Sequence, residues 1–436
     1  MPLSKEQILA LAPDDASAKA GQQLATTAKW VSRQASPEAL WGACQGSGKT
    51  PYITFIDLTD TAFKCTCPSR KFPCKHGLGL YMLYAQQPQL FDANGKMPPD
   101  LQQWLQKRQA KAETKPTEKE QKPVDETARQ KRQEARQQKV EQGIAALQVW
   151  LKDLVRGGIA QVPQQMPGLA LGMAARMVDA QAPGLAMQLR RIADIAYFEE
   201  GWQLHFLRAV SGLYMATMLH GQKAWASTAQ QADSHQYIGY PLAKEDVLQQ
   251  PDTADKWLVL AKKTQIEDNL TTEVTWLYGL EQQKFAQHLQ FLARNQVPEV
   301  MLTAGMVLQA DLVYYPGSYP LRALFKSGTQ QVRQTPAFPQ HTSMAEVKQS
   351  ASNALAGNPF IESIPVVLSS VQLQQARTKW LLADAQQQSL PLLNPEKDIY
   401  RILAVTGGQA FDAFALYRHS ALQVLTIFIN QNTITL

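Results

Sequence analysis

The pattern of apolar and polar positions divides the chain into three regions, and the first is mixed. Asp14, Asp15 and Ser17 precede an Ala-rich stretch, which predicts a helix from near Ala16. The segment PYITFIDL (51–58) has the β-branched and aromatic residues of a strand, and HGLGLYMLYAQQ (76–87) predicts a helix. We therefore expect a small mixed module over residues 1–104.

The second region, residues 141–250, has the period of amphipathic helices. Two stripes with spacings of three and four residues each predict one buried helix face: Ile144, Leu147, Leu151 and Leu154, and then Leu204, Leu207, Val210, Tyr214 and Met218. Before them, TARQKRQEARQQKVEQG is rich in helix formers and should run into the first of these helices. This part of the chain is therefore predicted to be mainly helical.

The third region, residues 251–436, has short segments rich in β-branched and aromatic residues. Turn residues such as Pro316-Gly317 and Gly407-Gly408 separate them, a pattern typical of a mostly antiparallel β domain. YRILAVTG (400–407) is counted among these segments. The fold class predicted for the whole chain is α+β and multidomain, with a small N-terminal module, a helical middle and a β-rich C-terminal domain.

Charge is concentrated between the first two regions. Residues 107–139 hold eleven Lys/Arg and six Asp/Glu, which is +5 of the net +6 of the chain. We interpret residues 105–140 as a charged linker running into a helix, because KAETKPTEKEQKPVDETARQ has two Pro and no apolar period. The alternative is an electrostatic arm for nucleic acid or an acidic partner, although its six acidic residues are interspersed with the basic ones.

Composition excludes several classes of protein. A hydrophobic content of 45% is too high for a disordered chain. The chain has no run of 18 apolar residues, so the sequence predicts no membrane-spanning helix. The N-terminus lacks the order of a signal peptide, so we expect a cytoplasmic protein without a membrane partner. Four Cys in 436 residues do not make a disulfide scaffold.

One short segment, FKCTCPSRKFPCKHGLGL, carries recognisable chemistry. Three Cys and one His follow the pattern C-x-C-x6-C-x-H: Cys65, Cys67, Cys74 and His76. Three thiolates with one imidazole are a usual ligand set of tetrahedral structural zinc, and four protein ligands leave no open position for catalysis. The remaining cysteine, Cys44, is expected to be a small buried residue beside Trp41, with an alternative ligand role left open.

The segment CTCPSRKFPCKH resembles the SWIM zinc finger. WGACQGSGKTPY, the charged linker and AARMVDAQAPGLA are similar to the long bacterial SWIM zinc finger family proteins. The resemblance implies one structural Zn²⁺ on Cys65, Cys67, Cys74 and His76, and a role in binding DNA or proteins. It also associates the family with MoxR-type AAA+ ATPases and von Willebrand A domain proteins.

Basic residues surround the predicted finger and suggest its function. The candidate binding face for nucleic acid or a partner comprises Lys64, Arg70, Lys71, Phe72 and Lys75, with Phe72 available to stack on a base. Alternatively, these cations only offset the negative charge of the thiolates. The segment GSGKT (46–50) is not a P-loop, because the first Gly of that motif is missing and a strand follows.

We therefore expect a non-enzymatic zinc finger protein that binds nucleic acid. The alternative is a protein-interaction adaptor for an AAA+ ATPase or a von Willebrand A domain partner. An enzyme in the C-terminal domain is a third hypothesis, which requires a concave polar pocket there.

Overall fold

The computed structural model describes most of the chain and shows twelve helices and sixteen strands among the described residues. These residues are 3–46, 48, 50–59, 61–69, 71–93, 95–113, 126–221, 226–267, 270–293, 298, 300–326, 329–332, 343–377, 379–429 and 432–436. The mixed α+β class with a helical middle and a β-rich C-terminus is confirmed. Part of the predicted linker, residues 114–125, lies outside the described residues.

The N-terminal module is a four-stranded antiparallel sheet between helices. Its elements are α1 (Lys5–Ala10), α2 (Asp15–Leu24), β1 (Trp30–Ala35), β2 (Ala39–Cys44), β3 (Tyr52–Asp57), β4 (Ala62–Cys65), α3 (Lys75–Gln86) and α4 (Pro99–Glu113). The predicted helices and strand of this region are confirmed by α2, β3 and α3. Asp14 caps α2 by accepting the N–H of Ser17 at 2.7 Å.

Both faces of this sheet are covered, so all six residues of β2 are buried. Leu40 and Ile56 pack with α3 on one face, and Trp41 and Phe55 pack with α4 on the other. This division follows from the alternation of side chains along a strand. Arg108 of α4 pairs with the buried Asp57 at 3.4 Å and ties α4 to the sheet.

In the middle of the chain, five helices among the described residues share one apolar core. They are α5 (Glu126–Gly157), α6 (Val162–Asp179), α7 (Pro183–Ala193), α8 (Trp202–Gly221) and α9 (Thr228–Ile238), followed by the short α10 (Lys244–Leu248). Ile144, Leu147 and Leu151 are buried, and Leu154 packs against the same core, which confirms the first predicted stripe.

The second predicted stripe is wrong at three of its five positions. Leu204, Leu207 and Tyr214 on α8 are 51%, 60% and 38% exposed, whereas Val210 is buried on a face that it shares with Phe206 and Leu213. Helix α8 carries apolar residues on several sides, so more than one set of positions has helical spacing. The position of α5, α7 and α9 decided which set is buried.

The C-terminal region contains two six-stranded sheets that pack on each other. The first has the order β10-β8-β5-β6-β7-β9 and the second has the order β13-β12-β11-β14-β15-β16. The strands of the first are β5 (Asp252–Glu267), β6 (Leu270–Gly279), β7 (Phe285–Ala293), β8 (Val307–Tyr314), β9 (Arg322–Phe325) and β10 (Gln330–Val332). Those of the second are β11 (Ile364–Ala376), β12 (Lys379–Ala383), β13 (Ser389–Pro391), β14 (Phe411–Arg418), β15 (Ala421–Ile429) and β16 (Asn432–Thr435). Among the described strands of these two sheets, only β7 and β9 pair in parallel, which fits the predicted mostly antiparallel domain.

In the described part of this region, two helices interrupt the β pattern, α11 (Met344–Gly357) and α12 (Glu396–Thr406). The interpretation of YRILAVTG as a strand-like segment is therefore wrong. The buried Ile402 of this segment lies three positions after the buried Ile399, which is helical spacing. Gly407 then ends α12 in the left-handed conformation at φ 59°. The acidic residues Glu396 and Asp398 favour a helix start, a signal that the β-rich flanks masked.

The N-terminal module and the first C-terminal sheet share a single apolar core. Leu78 and Met82 of α3 belong to the same buried cluster as Trp257, Leu308 and Leu312. The backbone N–H of Gln331 also donates to the carbonyl of Thr59 at 3.1 Å. Residues far apart in the sequence therefore stabilise each other. Among the described residues, no helix is long and apolar enough to cross a membrane.

Two glycines offer a test of this packing. A Cβ on Gly79 of α3 would lie 2.7 Å from Leu24 Cβ and 3.1 Å from the Gly21 carbonyl oxygen, whereas one on Gly172 of α6 would meet nothing within 4 Å. We expect Gly79→Ala to lower the free energy of unfolding by about 1–3 kcal/mol through overpacking. Gly172→Ala should raise it by up to about 1 kcal/mol, because alanine favours the helix.

Chemical denaturation of both variants measures the two effects. Equal changes in the two variants would contradict the close approach of α2 and α3.

Candidate metal centre

Two secondary-structure elements bring the four predicted ligands together. Cys65 is the last residue of β4, and Cys67 follows it in the loop. Cys74 is the N-cap of α3, and His76 lies in the first turn of that helix. Since β3 pairs with β4 so that Thr54 opposes Cys65, the sheet fixes the first pair of ligands and the helix fixes the second.

The donor atoms have the separation that one metal ion requires. All four lie within 4.8 Å of one another, and His76 Nδ1 is 3.8 Å from Cys65 Sγ and 3.9 Å from Cys74 Sγ. In a tetrahedral site with Zn–S bonds of about 2.3 Å, neighbouring donors are about 3.8 Å apart. The four residues can therefore bind one metal ion together.

The cysteines differ in their acidity. A hydrogen bond with Cys74 lowers the pKa of Cys65, and contacts with His76 and Thr54 add to that effect. The same hydrogen bond and then burial raise the pKa of Cys74, and burial raises the pKa of Cys67. Three thiolates at this distance repel one another, so full deprotonation requires a cation among them.

Several neighbours that the sequence did not single out hold the ligands in place. The hydroxyl of Thr54 lies 3.3 Å from Cys65 Sγ, and the ring of Tyr52 lies 5.0 Å from that of His76. Helix α3 approaches Phe63 so closely that a Cβ on Gly77 would meet the ring at 2.8 Å. The positive end of the α3 dipole also favours the negative thiolates. Only the pairing of β3 with β4 identifies Tyr52 and Thr54 as neighbours.

The predicted binding face is not one continuous surface. Lys64 opposes Phe55 on the α4 side of the sheet, where its ammonium lies 5.7 Å from the ring centroid, so it is on the opposite face from Cys65. Lys75 is exposed between Cys74 and His76. Arg70 lies outside the described residues.

The other two residues of that face have partners within the module. Lys71 is exposed and pairs with Asp14 at 2.7 Å. Phe72 is half-buried, and its ring packs edge-on against Phe63 at 6.2 Å. The structure therefore places Lys75 between two ligands, pairs Lys71 with Asp14 and gives Phe72 a packing role.

Cys44 lies in the core of the module, and the glycine-rich segment (46–50) leads into a strand. Cys44 ends β2, is fully buried and packs in the same cluster as Leu40, and it is not among the grouped donors in the part of the chain that the structure describes. After residues 46–50 the chain continues into β3 at Tyr52, a strand where a P-loop has a helix.

Cys74→Ser tests the four-ligand site. Losing a thiolate should weaken metal binding by more than about 100-fold, the upper limit for changes outside the ligand shell. The variant should bind less than one ion per chain and lose near-UV circular dichroism, because ligand assembly is coupled to folding.

The matched control is Cys44→Ala, which removes a buried thiol from the same sheet. It should keep the full metal content. Full occupancy in Cys74→Ser, measured by mass spectrometry of the bound metal, would show that another residue completes the site.

Proton release tests the acidities of the cysteines. Cys67 and Cys74 should be protonated at pH 7 without metal, and Cys65 should not, so metal loading should release about two protons per chain. Affinity should fall as the pH falls, since protons then compete for the thiolates. Calorimetric titration in two buffers of different ionisation enthalpy gives the number released, and a value near zero or three would contradict this assignment.

Residues 135–238 match the family model of the SWIM-associated four-helix bundle domain. The match begins within α5 and ends with α9. Searches of curated proteins and of solved structures found no match. Because this bundle follows a C-x-C-x6-C-x-H donor set in the same chain, the resemblance to SWIM zinc finger family proteins is confirmed.

Proposed function

We propose that this protein is a non-enzymatic nucleic-acid-binding protein whose N-terminal module is organised by one structural Zn²⁺. The ligands are Cys65, Cys67, Cys74 and His76, whose grouped donors support the proposal. Thiolates with imidazole favour Zn²⁺ over Mg²⁺ or Ca²⁺. Four protein ligands fill a tetrahedral shell, so the ion has no position left for a reacting water.

The position of Lys75 carries the nucleic-acid part of the proposal. This residue is exposed at the N-terminus of α3, between two ligands, where the helix dipole adds positive potential. Lys71 is also exposed, and its surface ion pair with Asp14 is worth only about 0–1 kcal/mol, so a phosphate can replace the carboxylate. With Arg70 from the sequence pattern, these residues form the proposed interface.

The test is a fluorescence-anisotropy titration of the zinc-loaded protein with single- and double-stranded DNA and RNA. The variant Arg70→Gln/Lys71→Gln/Lys75→Gln should bind more weakly. If all three residues contact phosphates, the slope of log K against log salt should fall by about 2–3.

The control Lys348→Gln/Lys397→Gln/Arg401→Gln removes the same charge from exposed positions on α11 and α12. It should bind like the wild type. No binding of the zinc-loaded protein to any of the four nucleic acids at low salt would reject the proposal.

The second candidate function is a protein-interaction adaptor, which a groove in the helical bundle supports. The groove lies between α5 and α6 and has a volume of about 270 Å³. Its lining includes the apolar Trp150, Leu154, Val162, Met166 and Leu169 and the polar Asp153, Gln161 and Gln165. The apolar part of this groove can receive a side chain or helix of a partner. By the family association, that partner is a MoxR-type AAA+ ATPase or a von Willebrand A domain protein.

Leu169→Glu tests the adaptor function, because Leu169 is 47% exposed at the groove. A charge there should weaken binding to a purified partner at least about tenfold, since burying an unpaired carboxylate is costly. The matched control is Leu207→Glu, at an exposed leucine of α8 outside the groove. Equal binding by both variants, measured by sedimentation, would exclude this groove as the interface.

A further inference from the structure

Basic side chains gather where α7 and α8 meet the turn between β14 and β15. We call this group the seam cluster, and its members are Arg191, His205, Arg208, Arg418 and His419. The rings of His205 and His419 lie 5.9 Å apart and are nearly perpendicular at 77°. The only acidic group that affects the pKa values of His419 and Arg418 among the described residues is Glu362.

The hairpin turn gives this cluster its shape. His419 and Ser420 have φ of 47° and 63°, the left-handed pair of a two-residue type I′ turn. Non-glycine residues at both positions are uncommon and carry a conformational cost. The turn places His419 against His205 of α8, and Arg208 lies one helical turn after His205, near enough to lower the pKa of His419.

The carboxylate of Glu362 already has two partners. It pairs with Arg191, and Gln188 Nε2 donates to Glu362 Oε1 at 3.1 Å. Among the described residues, Arg208 and Arg418 have no carboxylate partner within ion-pair distance, and the enclosed Nε of Arg418 has no hydrogen-bond partner. An enclosed donor without a partner is costly, so the cluster lacks an acceptor.

The cations also act against one another. Burial, and then Arg208, His205 and Arg418, lower the pKa of His419. Burial is also the main influence that lowers the pKa of Arg418, which Glu362 opposes. An anion placed among these groups would remove the repulsion and accept hydrogen bonds from guanidinium and imidazole donors together.

We propose that the seam cluster is a phosphate-binding site formed by Arg208 and Arg418, with His205 and His419 as further donors. The planar guanidinium fork matches two phosphate oxygens, which favours arginine at such sites. The phosphate can belong to a small free ester or to a nucleic-acid backbone, since both offer the same oxygens. The site lies outside the zinc module, so it does not depend on the nucleic-acid interface proposed there.

The experiment follows binding of inorganic phosphate to the full zinc-loaded protein by calorimetry and thermal unfolding, at constant ionic strength with chloride as the comparison anion. Phosphate should bind saturably and raise the melting temperature more than chloride does. Arg208→Gln and Arg418→Gln should each weaken binding by about ten- to hundredfold, the value of a charged hydrogen bond. The matched control is Arg401→Gln on α12, which should bind phosphate like the wild type.

A second measurement separates a binding role from a structural one. In chloride without phosphate, Arg418→Gln should melt at the same temperature as the wild type or higher, because it removes an enclosed N–H without a partner. Arg208→Gln, at an exposed position, provides an independent test if Arg418→Gln does not fold.

An oligonucleotide distinguishes the two sources of phosphate. It is titrated into the Arg70→Gln/Lys71→Gln/Lys75→Gln background, so that the zinc module does not contribute. Binding that Arg208→Gln weakens would identify the backbone of a nucleic acid, and a response to inorganic phosphate alone would identify a small ester. The proposal is overturned if neither probe binds more strongly than chloride, or if both arginine variants bind like the wild type.

Discussion

The junction between the end of β4 and the start of α3 is the constraint on which the N-terminal half depends. Three cysteine sulfurs and one imidazole meet there within 4.8 Å, and they can all be unprotonated only around a cation. A metal ion at this point would fix the first turn of α3 against the sheet. Since residues 76–83 of α3 are all buried, this one junction orients a whole helix of the core.

The position of α3 links this junction to the C-terminal half. The helix packs in a cluster with Trp257 and Leu312, so the helix that follows Cys74 and contains His76 also packs with the first C-terminal sheet. Loss of the metal would therefore remove support from both regions. A small finger excised from the chain would expose the apolar side chains that this cluster buries.

The two possible binding regions, the start of α3 and the seam cluster, differ in the neighbours of their basic residues. Lys75 lies at the positive end of α3, whereas Lys71 and Lys64 have neighbours within the module, Asp14 and the Phe55 ring. The seam cluster lies far along the sequence and combines cations from three elements. At both places the nearby carboxylates do not neutralise all of the positive charge. The remaining positive potential is the property that attracts phosphate.

The sequence by itself determined the ligand set, because C-x-C-x6-C-x-H spacing and residue type suffice to predict metal chemistry. It also determined elements with one clear period, such as β3 and α3, and the buried stripe of α5. Only the tertiary structure decided which face of α8 is buried, because its apolar residues fit several helical stripes. It likewise placed Lys64 on the other face of the sheet from Cys65 and brought His205 against His419, since contacts between distant residues depend on how strands and helices pack rather than on local spacing.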